Sequence, residues 1–267
     1  MSEGLDIHPT AIVHPRAELG AKVQVGPHCV IEKGCVVGEG TILMAGVIVH
    51  AETILGRNNV VHSYAVLGGA PQDLGYKGQP TRLTVGDNNT IREYVTLNRG
   101  TTKERGETII GSHNLFMACS HVAHDCILGD KIIMANNVLL AGHVRVGDCA
   151  NISGAAAAQH FTTIGRYAYI GGMSKVKVDV PPYMVSDGDP ALPRRCNEVG
   201  LRRHGFEEKV ITALSAAFRS VFRSKEPVSE AVANLDPSGI EEVAIFKDFL
   251  EQKLHGKHGR YLESLRD

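Results

Sequence analysis

The sequence predicts a mainly β protein: a parallel β-helix built from six-residue repeats, followed by an α-helical C-terminal domain. Three observations carry this. An aliphatic residue recurs every six positions, from Val13, Leu19, Val25, Ile31, Val37 and Leu43 to Leu67, and again from Ile110 to Val176. The next position is often glycine, as at Gly20, Gly26, Gly38, Gly56, Gly129 and Gly147, and the fifth is small or β-branched, as at Ala17, Val23, Cys29, Cys35 and Thr41. Beyond Gly205 the period becomes helical, with Val210, Ile211, Leu214, Phe218 and Val221 on one face. A period of six is neither helical nor simple strand alternation, and an ordinary β-sandwich would not hold it so long.

Taken in order, the repeat predicts short strands joined by turns, with the aliphatic residue inside, the small fifth residue beside it and glycine permitting the turn. Two stretches break the register, residues 68–84 and 102–108, and read as loops pushed out of the coil. Between them the repeat returns at Val85, Ile91 and Leu97. Loops on a rigid scaffold are common places for binding groups. The coil is expected to end at Val180-Pro181-Pro182, because paired prolines cannot donate to a ladder. A connector around Asp187-Gly188-Asp189-Pro190 follows, with helices after Gly205, near Pro227 and near Ser238. The chain thus divides into a β-helix over residues 1–188 and a helical domain over 189–267.

A net charge of −1 offers no general attraction for nucleic acid. The N-terminus is polar, without the apolar core of a secretory signal, and no run approaches the ~18 apolar residues of a membrane helix. Six cysteines are scattered with no CxxC pair, and Cys29, Cys35 and Cys126 fall on the fifth repeat position. They read as reduced core thiols of a cytoplasmic protein. The stretch with chemical content is His121-Val122-Ala123-His124-Asp125. A histidine beside an aspartate suits a general base with an orienting carboxylate, whereas a histidine cluster also suits zinc. His8, His14, His28, His50, His62 and His113 suggest no role.

At these residues the chain resembles the bacterial UDP-N-acetylglucosamine O-acyltransferases. The motifs are Gln72-Asp73-Leu74, Asn98-Arg99-Gly100-Thr101, His121 to Asp125, Ala135-Asn136-Asn137, Leu140-Ala141-Gly142-His143, Asp179-Val180-Pro181-Pro182-Tyr183, and Asn197-Glu198-Val199-Gly200-Leu201 with Arg202-Arg203 and Gly205-Phe206. The last is the most specific, since many acyltransferases share hexapeptide repeats. The resemblance implies three-sided, left-handed coils and a homotrimer with sites between neighbours. It implies transfer of an R-3-hydroxyacyl chain from acyl carrier protein, as its phosphopantetheine thioester, to the 3-hydroxyl of UDP-N-acetylglucosamine, with no cofactor and no metal.

With three sides a coil takes 18 residues, so His124, Gly142 and His160 form one column and Asp125, His143 and Phe161 the next. A glycine over His124 leaves a gap expected to admit substrate. Carried over residue by residue, the resemblance makes His124 the base, Asp125 its orienting partner and Gly142 the amide donor to the thioester oxygen. Asp73, His121, His143, Gln159, His160, Asn197, Glu198 and Arg203 become substrate contacts. Gly172 takes the position that limits acyl length, and glycine there favours a longer chain. Arg194, Arg195, Arg202 and Arg203 form a basic patch suited to the acidic carrier protein.

Four departures stand out. Gln159-His160-Phe161 replaces the family's usual His-Gln before phenylalanine, Gly75 replaces a lysine with Lys77 two residues on, His204 replaces a second arginine, and Asn98 stands where several members have histidine. They leave a 3-amino sugar nucleotide open as acceptor. The rivals are the N-acyltransferase of the same pathway, which carries a uridine-binding domain ahead of its repeats, and a γ-class carbonic anhydrase.

Overall fold

The computed structural model describes residues 4–266 and holds the strands in three sheets of eleven, nine and eight strands. Ile42 pairs with Val60 and Ile133 with Asn151, each one coil of 18 residues on, and strands within the coil pair in parallel. The aliphatic repeat positions fill the interior: Val25, Ile31, Val37, Leu43 and Val49 are buried, as are Cys29, Cys35 and Val47 beside them. Small polar residues fit there because they reach ladder carbonyls. The Cys29 thiol donates to the Met44 carbonyl at 2.8 Å and the Thr41 hydroxyl to that of Gly56 at 2.9 Å.

The repeat glycines have a different reason from the one expected. Gly38 and Gly147 do not have left-handed backbone. A Cβ on Gly38 would lie 2.5 Å from the Gly56 carbonyl carbon, and one on Gly147 2.6 Å from the Arg166 nitrogen. They are glycine because neighbouring coils approach closely. The left-handed residue is two positions later and is mostly not glycine, as at Tyr64 (φ 63°), Asp125 (φ 61°) and His143 (φ 64°).

The two excursions are shorter than the broken repeat suggests. Arg82–Val85 pairs with Thr53–Leu55 on one side and Glu107–Ile110 on the other, so strand reaches into both predicted loops. What leaves the coil is residues 70–81 and 99–106. Pairing across these coils spans 30 residues (Val60 to Thr90) and 25 (Thr96 to His121).

Nor does the sheet stop at the prolines. Met184–Asp187 continues the ladder beside Tyr169–Ile170, and Leu192–Cys196 folds back antiparallel on it. The ladder absorbs Pro181 and Pro182 in a turn before the strand resumes, and residues 192–196, within the span assigned to the helical domain, are strand. Then come α1 (Glu198–Arg203), α2 (Glu208–Phe222), α3 (Val228–Ala233), α4 (Glu241–His255) and α5 (Tyr261–Ser264). Helices α1 and α5 are too short to show a period. Leu214, Phe218 and Val221 of α2 pack with Val243, Phe246 and Leu250 of α4, and with Tyr183 and Met184 from the coil's end. The C-terminus is tied back to the coil. Lys253 Nζ donates to the Asp179 carbonyl (2.7 Å), and the Thr163 and Tyr261 amides donate to the Asp179 carboxylate (2.7 Å each). No helix among the described residues is long and apolar enough to cross a membrane.

Candidate active site

The strand His121–Val122 delivers His124 to the corner between the nine- and eight-stranded sheets. The columns stack as the spacing predicts: the His143 amide donates to the His124 carbonyl (3.0 Å) and the Phe161 amide to that of Gly142 (3.2 Å). Asp125 is buried, and its Oδ2 lies 2.8 Å from His124 Nδ1. The Thr101 amide donates to Oδ1 at 2.8 Å, the Thr101 hydroxyl donates to Oδ2 at 2.6 Å, and the Asp125 amide donates to Thr108 Oγ1 at 2.8 Å. Burial alone would push the Asp125 carboxyl up, but the bonds from His124 and Thr101 outweigh it and hold the group below the ordinary carboxylate range. With Nδ1 committed to Asp125, Nε2 is the free nitrogen of His124.

Gly142 is where the structure departs most usefully from expectation. A Cβ there would lie 2.6 Å from His124 Cε1 and 2.8 Å from Nε2. The imidazole itself occupies the space the glycine leaves open, so the gap is not room for substrate; it is what lets the ring lie across the next coil. The Gly142 amide donates to no carbonyl among the described residues, and neither do the amides of His124 and His160 at the same turn position. The turn thus presents an unpaired N–H beside the imidazole.

His143 sits one rung above Asp125, its ring stacked on Phe161 (4.4 Å) and edge-on to His124 (5.2 Å). Its Nε2 lies 3.7 Å from Asp125 Oδ2, and its buried Nδ1 lies 3.2 Å from Glu104 Oε1, out of line for a hydrogen bond. Burial lowers its pKa more than the two carboxylates raise it. His121, 2.7 Å from the Thr96 hydroxyl, is likewise lowered, first by burial and then by the charge of His124. Asp73, on the first excursion, receives Lys103 Nζ from the second at 2.5 Å.

Gln159 and His160 lie on the coil above Gly142. The Gln159 carbonyl accepts the Thr162 hydroxyl (2.7 Å), and His160 is exposed with its ring edge-on to Phe161 (5.4 Å). Asn197, Arg203 and His204 line a separate cavity of about 370 Å³ against Ile133, Asn151 and Tyr169 of the eleven-stranded sheet. Asn197 caps α1 and donates to the Tyr167 carbonyl at 2.9 Å, while Glu198 accepts the Ser215 hydroxyl at 3.0 Å. Arg203 has no ion pair among the described residues, whereas Arg202 is held by Glu208 (2.7 Å) and Arg194 donates to the Asp187 carbonyl (2.9 Å). The basic patch is therefore narrower than its four arginines suggest. Gly172 stands exposed on the corner between the eleven- and nine-stranded sheets, and a Cβ there would meet nothing nearer than 3.5 Å. Within one chain these three groups lie on different sides of the coil. Sequence reasoning missed Thr101, Thr108, Lys103 and Glu104; only Thr101 stood in a motif singled out beforehand.

A three-sided hexapeptide coil with an aspartate-held histidine beside an unpaired corner amide defines an acyltransferase of the hexapeptide-repeat class. Residues 179–259 match the family described as UDP-N-acetylglucosamine O-acyltransferase, domain 2. The acyl-[acyl-carrier-protein]–UDP-N-acetylglucosamine O-acyltransferase of Thiobacillus denitrificans is 43% identical over 202 residues, covering 75% of this chain and 78% of that protein. Its Pseudomonas aeruginosa counterpart is 42% identical over 200 residues, covering 74% and 78%. Among solved structures, the UDP-N-acetylglucosamine O-acyltransferase of Moraxella catarrhalis superposes with a TM-score of 0.88 at 38% identity, covering 91% of this chain and 95% of that one. The chain belongs to the UDP-N-acetylglucosamine O-acyltransferase family, and its coil is a left-handed β-helix.

Proposed function

We propose that this enzyme transfers an R-3-hydroxyacyl group from acyl carrier protein to the 3-hydroxyl of UDP-N-acetylglucosamine, the first step of lipid A biosynthesis, with His124 as general base. The observation that carries the mechanism is the His124–Asp125 pair fixed by Thr101. A sugar hydroxyl is a poor nucleophile at neutral pH. The lone pair of His124 Nε2 takes its proton as the oxygen attacks the thioester carbonyl, and the buried Asp125 carboxylate steadies the imidazolium. The unpaired Gly142 amide supports the oxyanion. The imidazolium then returns its proton to the leaving thiolate of the phosphopantetheine arm. No step calls for a cofactor or an acyl-enzyme.

Asp73, His121, His143, Gln159 and His160 surround the reacting centre, and Asn197, Glu198 and Arg203 serve the nucleotide. Because the Arg203 cavity and the His124 corner sit on different sides of one coil, the site is completed by a neighbouring copy, in a homotrimer. Apolar stripes on the outer faces, Val30, Ile48 and Val66 on one sheet and Leu115 and Ile133 on another, support such packing. Space at Gly172 favours a longer acyl chain. A carrier-protein donor and six unpaired thiols fit the cytoplasm.

One observation favours a metal instead: ligand atoms of His124, Asp125 and His143 lie within 4.8 Å of one another. Both Asp125 oxygens already accept hydrogen bonds, so an ion would displace Thr101 or His124. Metal analysis of the purified, active protein separates the two. The test of the reaction offers hydroxyacyl carrier proteins of several lengths with UDP-N-acetylglucosamine or its 3-amino analogue, and reads the product by mass spectrometry. The expected product is the O-acylated sugar nucleotide; acylation of the amino analogue alone would overturn the assignment.

A further inference from the structure

The two excursions are clasped by one ion pair, and its cation occupies an informative place. Lys103 Nζ, from residues 99–106, reaches Asp73 Oδ2, from residues 70–81, at 2.5 Å, while the Gly75 amide donates to Asp73 Oδ1 at 2.6 Å. A Cβ on Gly75 would stand 3.2 Å from that same ammonium and 3.3 Å from Lys103 Cε. The Lys103 head group thus fills the space a side chain on Gly75 would enter. Lys77, the nearest lysine in the first excursion, is turned away and donates to the Leu74 carbonyl (3.0 Å). Lys103 is also joined to the reacting centre through the backbone: its amide donates to Thr101 Oγ1 (3.4 Å), the hydroxyl that itself donates to Asp125.

We propose that Lys103 is the positioning residue for the acceptor sugar nucleotide, holding the Asp73 carboxylate beside the His124 corner from the space left empty at Gly75. This rests on the acyltransferase reading above. Three physical consequences follow for the acceptor. The ammonium fixes one carboxylate oxygen, leaving Asp73 oriented to accept a hydrogen bond from a sugar hydroxyl. It neutralises a carboxylate that would otherwise repel the acceptor's diphosphate. It ties the two excursions together across the mouth of the site. The Lys103 hydrogen bond is the largest influence on Asp73, holding its carboxyl below the ordinary range, and His124 is close enough to add to the effect. The pair is half exposed on the lysine side, so its role is orientation and not stability.

The experiment is steady-state kinetics, with each substrate varied in turn, on wild type, Lys103→Met, Lys103→Arg and the double variant Gly75→Lys/Lys103→Met, alongside thermal melting. Lys103→Met is expected to lose roughly tenfold or more in kcat/KM for the sugar nucleotide, the scale of a lost charged hydrogen bond. The loss should appear in acceptor KM, with carrier-protein KM and the melting temperature unchanged. Lys103→Arg or the double variant should recover most of it, the double variant by supplying an ammonium from Gly75 to the same space. Lys103→Met within twofold of wild type overturns the proposal. So does a loss confined to kcat, or one that neither cation-restoring variant repairs. Wild-type inactivity toward UDP-N-acetylglucosamine would instead overturn the underlying acyltransferase reading.

Discussion

His124 and Gly142 form a matched pair, because the imidazole lies where any other residue's Cβ would be. Gly142→Ala should therefore fold, since its backbone is not left-handed, yet displace the His124 ring from Asp125. A displacement on the scale of 1 Å costs roughly 10²-fold in turnover, measurable as kcat with an unchanged melting temperature. Two histidines beside His124 make a second prediction. His121 and His143 are both lowered, chiefly by burial. A base whose folded-state pKa lies below its unfolded value of about 6.5 is protonated more readily in the unfolded chain. Stability gained from these two groups is fully present well above that pH and is lost as pH falls through it. Denaturant unfolding from pH 7.5 to 5.5 should show falling stability that flattens in a His121→Gln/His143→Gln variant. Much of this chemistry was legible in the sequence, because a column offset of one coil places His143 over Asp125 without coordinates. The Asp125–Thr101 contact was not, because it spans the second excursion, whose length resets the register. Nor could spacing show which way the His124 ring turns.

At the scale of the coil, the glycines were visible as a pattern and misread as to cause. Their period marks where coils touch, and the left-handed turns fall two residues later on side-chain-bearing residues such as Cys119 and Phe161. Gly147→Ala should destabilise by about 1–3 kcal/mol, the range for overpacking against backbone that cannot withdraw, because its Cβ would meet the Arg166 nitrogen at 2.6 Å. Gly154→Ala, whose Cβ would meet only the Asn136 carbonyl at 3.5 Å, should be nearly neutral. Thermal melting of the two side by side checks this. The excursions were overestimated for a related reason: residues 82–84 and 107–109 already pair with each other ahead of Val85 and Ile110, where the aliphatic period resumes, since ladder bonds need backbone and not a particular side chain. The hairpin of Met184–Asp187 and Leu192–Cys196 was hidden by its prolines, which lie in the turn before it and within its outermost strand, where no further ladder partner is needed.

For the whole molecule, the solenoid sets the His124 corner, the Arg203 cavity and Gly172 on different sides of one coil, and it is the proposed homotrimer that would bring them together. The C-terminal segment contributes twice: Asn197 and Arg203 line the cavity beside Tyr169, and Lys253, Arg260 and Tyr261 bond to Asp179 and Lys177 of the last coil. The sequence announced the solenoid and its helical end, but a single chain's repeat says nothing of which faces meet. In the proposed mechanism His124 is the base, so the most direct measurement is the turnover of His124→Ala with acyl carrier protein thioester and UDP-N-acetylglucosamine, with its assembly checked by sedimentation. A fall of at least ~10²-fold, the scale of a lost general base, in a protein that sediments as wild type is the predicted result; turnover near wild type would contradict it.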